Sequence, residues 1–165
     1  MRAYVLLGSN LGPRLRKLAG GRRRLAAAGV RLLRASPIYA TRALPAAGDA
    51  SPQPWFLNQL LEVETSLDPR QLLLQLQRIE RLEGRPAPPR RRAARTLDLD
   101  LIAYGRLRLH SPALVLPHPR WRERPFLLAL LTELFPGGSA PLAGLAWTPP
   151  AASPDFHRWA GPQAE

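Results

Sequence analysis

Two carboxylates and a run of arginines stand out in "RPAPPRRRAARTLDLDLIAYG", residues 85–105. Asp98 and Asp100 sit two apart in an otherwise apolar segment. In an extended strand successive side chains alternate faces. Both aspartates then point one way, while Leu97, Leu99 and Leu101 point the other, into a core. The two carboxylates lie about 7 Å apart along such a strand. Ionised carboxylates beside a core are costly to desolvate unless they are paired or bound to metal. Mg²⁺ takes oxygen ligands, with one or two carboxylates combined with substrate phosphates. Two such ions clamp a phosphoryl group during in-line displacement. Arginine suits the rest of a phosphate site, because its planar guanidinium matches phosphate oxygens in bidentate fashion. Arg85, Arg90, Arg91, Arg92 and Arg95 stand immediately upstream. The structural alternative is a half-exposed strand whose aspartates pair with arginines, and D-x-D spacing alone does not separate the two.

Several elements are needed to position such a strand. "AYVLLG" (3–8) reads as a buried strand closed by Gly8. A turn and helix follow, with Leu15, Leu18, Leu25 and Ala28 on one face and a stop at Gly29. "VRLLRASPIYATR" (30–42) reads as a second extended segment, and "ALPAAGDASPQP" (43–54) as a loop. "WFLNQLLEVETSL" (55–67) reads as a third strand, with Phe56, Asn58, Leu60, Glu62 and Glu64 on one face. The clearest helix is "DPRQLLLQLQRIERLEG": Asp68 is a good N-cap, Pro69 fits the first helical position, and Gly84 ends it. Its apolar stripe is Leu72, Leu76 and Ile79, and Gln77 and Glu80 share another face. "TLDLDLIAY" is the fourth strand and "ERPFLLALLTELFP" the last helix. The order β-α-β-β-α-β predicts an α+β, ferredoxin-like sandwich, an antiparallel sheet with helices packed on one face. One domain over 1–165 is expected, with a core at about 3–136 and a Pro/Gly-rich tail at 137–165. Trp147, Phe156 and Trp159 are candidate anchors for that tail.

Composition narrows the classes. The 165 residues are 45% apolar and carry a net charge of +12, with Lys17 the sole lysine. A polyanion partner and an arginine-rich compositional bias both explain that charge. The arginines are scattered, which favours bias everywhere except 85–95. Cysteine is absent, which excludes disulfides and thiolate metal sites and fits a cytoplasmic location. No apolar run is long enough to span a membrane, and the first residues do not read as a signal peptide. Neither G-x-x-x-x-G-K-[ST] nor G-x-G-x-x-G occurs, so a P-loop or Rossmann nucleotide site is not expected. "GSNLG" (8–12) is too short to read as a phosphate cradle. His118, in "LPHPRWRERPF", is a candidate phosphate contact or equally a structural histidine. Phe56 and Phe126 on pattern alone read as core.

Taken together, "YVLLGSNLG", "SPIYATRAL", "WFLNQLLEVETSLDPRQLL", "QRIERLEGR", "RTLDLDLIAYG" and "LPHPRWRERPFLLALLTEL" resemble the 6-hydroxymethyl-7,8-dihydropterin pyrophosphokinases in order and spacing. The resemblance implies pyrophosphoryl transfer from ATP to the hydroxymethyl oxygen of the pterin, releasing AMP, in folate biosynthesis. It implies Asp98 and Asp100 as ligands of two Mg²⁺ ions and Arg85 and Arg95 as catalytic arginines that neutralise the triphosphate. It implies Phe56 and Phe126 as two rings sandwiching the pterin, with Thr41, Ala43, Leu44 and Asn58 at its edge. ATP contacts fall on Gln77, Glu80, Arg85, Arg95, Leu101, His118 and Arg124. The implied partners are ATP and a reduced pterin, on a monomer with no membrane and no nucleic acid. Relative to the family pattern, the loop "GRPAPPRRRAAR" has Ala87 and Pro88 at common basic positions, Arg92 at a tryptophan position, and Ala93-Ala94 for Gly-Pro. Its three prolines suggest a stiffer closing motion. The alternatives are a divergent paralogue with weakened activity, and a non-catalytic basic nucleic-acid-binding domain of the same fold.

Overall fold

The computed structural model describes residues 1–43, 52–85, 94–140 and 144–161. In chain order the elements are β1 (Arg2–Ser9), α1 (Arg14–Ala27), β2 (Arg31–Ala35), β3 (Tyr39–Thr41), β4 (Phe56–Glu64), α2 (Pro69–Leu82), β5 (Asp98–Tyr104), β6 (Leu109–His110), β7 (Val115–Leu116), α3 (Pro125–Leu134) and β8 (Phe156–Arg158). The main sheet runs β5-β1-β4-β3-β8, with β2 also on β4, while β6 and β7 form a separate pair. All pairings in the main sheet are antiparallel.

The chain from 30 to 42 forms two strands where the sequence suggested one segment. Pro37 lies between them and lacks a backbone N–H, so the ladder against β4 is interrupted there. Ser36 keeps the sheet joined, its N–H donating to Leu60 O at 2.9 Å and its Oγ accepting from Leu60 N at 3.0 Å.

Two apolar clusters sandwich the sheet. Val5, Leu7, Leu57, Leu61, Leu99 and Leu101 face Leu18, Leu25, Leu72, Leu76 and Ile79 of α1 and α2. Leu6, Leu60 and Ile102 face Leu127, Leu130 and Leu131 of α3. The helices therefore do not all lie on one face: α3 covers part of the second. Leu15 is outside the expected α1 stripe, at 39% exposed. The inward face uses Gly21 instead, where an added Cβ would stand 3.0 Å from Leu97 Cδ2. Helix α2 is capped as its sequence suggests: Gln71 N donates to Asp68 Oδ1 at 2.8 Å and Asp68 N to Gln71 Oε1 at 3.0 Å. Each half of this capping box satisfies an N–H that the helix leaves unpaired.

The tail folds back onto the sheet. β8 pairs with the outer edge of β3. Trp147 Nε1 donates to Thr132 Oγ1 at 2.9 Å, and its ring meets Phe135 edge-on at 6.4 Å.

Candidate active site

Register places the chemistry. Gly8 of β1 pairs with Asn58 on one side and Asp98 on the other. Leu6 pairs with Leu60 and with Asp100. Antiparallel partners share a face, so Asn58, Asp98 and Asp100 all rise on the α3 side of the sheet, where α3 stops covering it. β5 shows the expected alternation: the aspartates are half-buried while Leu99 and Leu101 are buried. Gly8 is needed there, because a Cβ would come within 2.6 Å of Asn58 Oδ1.

Each aspartate is held by arginine. Asp98 Oδ1 lies 3.1 Å from Arg85 Nη1 and Asp98 Oδ2 lies 2.6 Å from Arg95 Nη1. Asp100 Oδ2 accepts from Arg124 Nη1 at 2.7 Å. Arg124 occupies the N-cap position of α3, so the turn that starts this helix delivers both Arg124 and Phe126 to the site. Arg85 also pairs with Glu80. Glu80 is buried, and its Oε1 accepts from Leu99 N at 2.8 Å. Burial pushes the Glu80 carboxyl up to about 7, and the charge of Asp98 acts in the same direction. The Leu99 N–H and the Arg85 guanidinium pull the other way. Glu80 thus faces inward, fixing Arg85 against β5. Gln77, expected on the same face, is exposed on α2 and lines neither cleft.

Two clefts meet at Asp100. The first, of ≈ 210 Å³, is walled by Thr41, Ala43, Phe56, Asn58, Phe126 and the Asp98–Arg95 pair, among others. Asn58 Nδ2 donates to Thr41 Oγ1 at 2.6 Å, which leaves the amide oxygen and one N–H for a ligand. Phe56 and Phe126 are half-buried and do not pack on one another. The second cleft, of ≈ 270 Å³, is walled by Leu73, Leu101, Leu114 and His118 as well as Asp100. His118 N donates to Ile102 O at 2.8 Å. Its Nδ1 accepts from Arg120 N at 3.2 Å, so the neutral ring carries its proton on Nε2. Burial lowers the His118 pKa, with Asp100 opposing. Leu44 and Arg90 to Arg92 lie outside the described residues, as do Ala87, Pro88 and Ala93.

Three further wall residues of the first cleft, Arg42, Gln53 and Arg120, carry no local sequence signal. Asn10 is another residue that sequence reasoning left out. Its Nδ2 donates to Pro54 O at 3.2 Å and to Gln53 Oε1 at 3.3 Å. Its Oδ1 accepts from Arg95 N at 2.7 Å, and its own N–H donates to Arg95 O at 3.0 Å. The "GSNLG" turn therefore tethers a cleft wall to the arginine beside Asp98. The motif was visible; its partners, 43 and 85 residues away, were not.

The model of the 7,8-dihydro-6-hydroxymethylpterin-pyrophosphokinase (HPPK) family matches residues 4–136. The chain belongs to this family. Among HPPK relatives, the 2-amino-4-hydroxy-6-hydroxymethyldihydropteridine pyrophosphokinase of Synechocystis sp. is 40% identical over 143 residues, covering 86% of this chain and 70% of its own. That of Methylorubrum extorquens is 40% identical over 136 residues, covering 82% and 83%. The folic acid synthesis protein fol1 of Pneumocystis carinii is 36% identical over 143 residues. This chain spans 87% of its own length there but only 19% of the fungal protein's. A crystal structure of HPPK-DHPS in complex with substrates superposes with a TM-score of 0.59 at 12% identity, over 82% of this chain and 40% of that one. At that identity the likeness speaks for the fold. HPPK membership does not favour the nucleic-acid-binding alternative. Among the described residues no helix is long and apolar enough to cross a membrane.

Proposed function

We propose that the chain transfers the pyrophosphoryl group of ATP to the hydroxymethyl oxygen of 6-hydroxymethyl-7,8-dihydropterin, releasing AMP, as a step of folate biosynthesis. The observation that carries the reading is the junction at Asp100. One aspartate–arginine cluster stands where a cleft bearing two unstacked phenylalanines and a buried amide meets a second cleft bearing His118. A flat bicycle fits between Phe56 and Phe126 as an offset stack, with Asn58, Thr41 and the backbone near Ala43 reading its edge. The nucleotide takes the second cleft, at Leu101 and His118. This puts the phosphate chain across Asp98 and Asp100. The hydroxymethyl oxygen bonds to the β-phosphorus, the bond from that phosphorus to the oxygen shared with the α-phosphate breaks, and AMP leaves with that oxygen. The hydroxyl proton goes to solvent.

Arg85, Arg95 and Arg124, now paired with carboxylates, have the chemistry to hold phosphate oxygens and the charge that develops on them. Glu80 and Asn10 orient Arg85 and Arg95 from behind. The donor set fits Mg²⁺: two carboxylates on one strand face, half-buried, with no cluster of three or more His, Cys, Asp or Glu among the described residues. A hard cation with that few protein ligands fills its shell with water and phosphate oxygens. Bound there by Asp98 and Asp100, Mg²⁺ would supply charge neutralisation on the triphosphate. The order β5-β1-β4 with β2 and β3 beyond, and α1 and α2 on one face, supports a ferredoxin-like sandwich as the frame.

The test is nucleotide analysis after incubation with ATP, Mg²⁺ and the pterin. AMP that appears only when both pterin and Mg²⁺ are present is the expected result. AMP formed at the same rate without pterin would refute the reading.

A further inference from the structure

The family match ends at residue 136, yet the chain beyond it returns to the cleft. In β8, Phe156 pairs with Thr41, His157 with Ala40 and Arg158 with Tyr39. The ladder continues at both ends, since Arg42 N donates to Asp155 O and Trp159 N to Ile38 O, each at 2.8 Å. β3 is therefore held on its inner edge by β4 and on its outer edge by β8. β3 ends at Thr41 and runs into Arg42 and Ala43, all three of them walls of the first cleft.

Side chains repeat the brace. Arg42 Nε lies 3.2 Å from Asp155 Oδ1, and the Arg42 guanidinium sits over the Trp55 ring, 5.6 Å from its centroid. The His157 ring packs on Trp55 at 5.5 Å, tilted by 52°. Trp55 directly precedes Phe56, and its carbonyl accepts from Arg14 Nη1 at 2.6 Å. β8 and the adjoining Asp155 thus bear on the cleft at two points, directly on its wall residue Arg42 and on Trp55, the neighbour of its wall residue Phe56.

We infer that β8 is a positioning element of the pterin pocket, setting the spacing between the Thr41–Ala43 wall and Phe56. This rests on the pterin reading above. The brace is poorly suited to a role in global stability. Its ion pair is 62% and 61% exposed, and exposed pairs contribute little. His157 and Arg158 are exposed as well, and Phe156 is only half-buried. What the contacts can do is fix the direction of a short wall.

The experiment uses full-length protein, wild type and the double variant Asp155→Ala/His157→Ala, with Arg158→Ala as the control on the same strand. Calorimetric titration with 6-hydroxymethylpterin in the presence of Mg²⁺ and a non-hydrolysable ATP analogue gives the pterin Kd. Titration with the analogue alone gives the nucleotide Kd, and thermal melts give Tm. Loss of one exposed ion pair and one ring contact predicts a pterin Kd raised about 3- to 10-fold in the double variant. Nucleotide Kd stays at the wild-type value, Tm falls by no more than about 5 °C, and Arg158→Ala matches wild type throughout. An unchanged pterin Kd in the double variant overturns the inference, as does equal weakening of pterin and nucleotide. A wild-type protein that binds the nucleotide analogue but no pterin overturns the functional reading itself.

Discussion

Replacing Asn10 with alanine removes one side chain from three places at once. Arg95 N loses its 2.7 Å acceptor, and Gln53 and Pro54 lose their donor. Asn10 is 1% exposed, so water replaces these bonds poorly. A net hydrogen bond is worth about 1 kcal/mol, and a buried group left unpaired costs about 1–3 kcal/mol. The Arg95 N–H is the group most exposed to that penalty, and the two longer bonds add less. The sum is about 2–4 kcal/mol, which for a domain of this size is a Tm drop of roughly 5–12 °C. Asn10→Asp keeps the acceptor toward Arg95 but sets a carboxylate oxygen against the Gln53 and Pro54 oxygens, so its loss is expected to equal or exceed that of alanine. Function should change with stability. Below the melting range kcat falls because Arg95, left with only the backbone bonds from Asn10 and Leu11 to its carbonyl, is held less firmly beside Asp98, and KM for pterin rises because Gln53 lines that cleft. Thermal melts and steady-state kinetics on the two variants are the assay. An Asn10→Ala protein that melts within 1 °C of wild type and turns over normally would refute the tether.

Other perturbations probe the rest of the site. Asp98→Ala and Asp100→Ala should each lower kcat by about 10²-fold or more, the scale for losing a preorganised charge at the reacting centre, with near-wild-type circular dichroism. Retained turnover in either would remove the carboxylates from the chemistry. Phe126→Ala should weaken pterin binding by about 10- to 100-fold, the worth of stacking one flat heterocycle on an aromatic ring, and leave ATP binding alone; equal losses in a titration would refute the sandwich. His118 gives a pH prediction. Its folded pKa lies below the ordinary 6.5 because it is buried, so the unfolded chain takes up its proton first as pH falls. Stability should decline as pH drops from 6.5 toward the folded pKa. Melts of His118→Gln across that window should show a shallower decline; identical slopes would sink the assignment.

What could be read in advance followed local rules. The Asp98/Leu99/Asp100/Leu101 alternation follows from the two-residue period of a strand, and the α2 start follows from Asp68, Pro69 and Gln71 within four positions. Both signals are local, and the structure carries both. The misreadings lie where tertiary partners decide. The break at Pro37 depends on a ladder with β4, and α1 meets the core through Gly21, close against Leu97, while Leu15 is exposed. The inward turn of Glu80 depends on Arg85 and on the Leu99 N–H. β8 has three residues and no strong period, so nothing local marks it as a strand. Asn10 stood in a motif noticed for its glycines, while its partners come from two distant loops. Phe56 and Phe126 stand 70 positions apart and read as core by pattern, yet both wall the first cleft; only the family resemblance linked them in the sequence.

The central claim is that two phosphorus atoms move together. ATP labelled separately at the β and γ positions, incubated with Mg²⁺ and 6-hydroxymethyl-7,8-dihydropterin, tests it directly when the pterin product is isolated. The account predicts both labels in the pterin product in equal amounts, with unlabelled AMP left behind. Label from the γ position alone, with ADP as the nucleotide product, would contradict it.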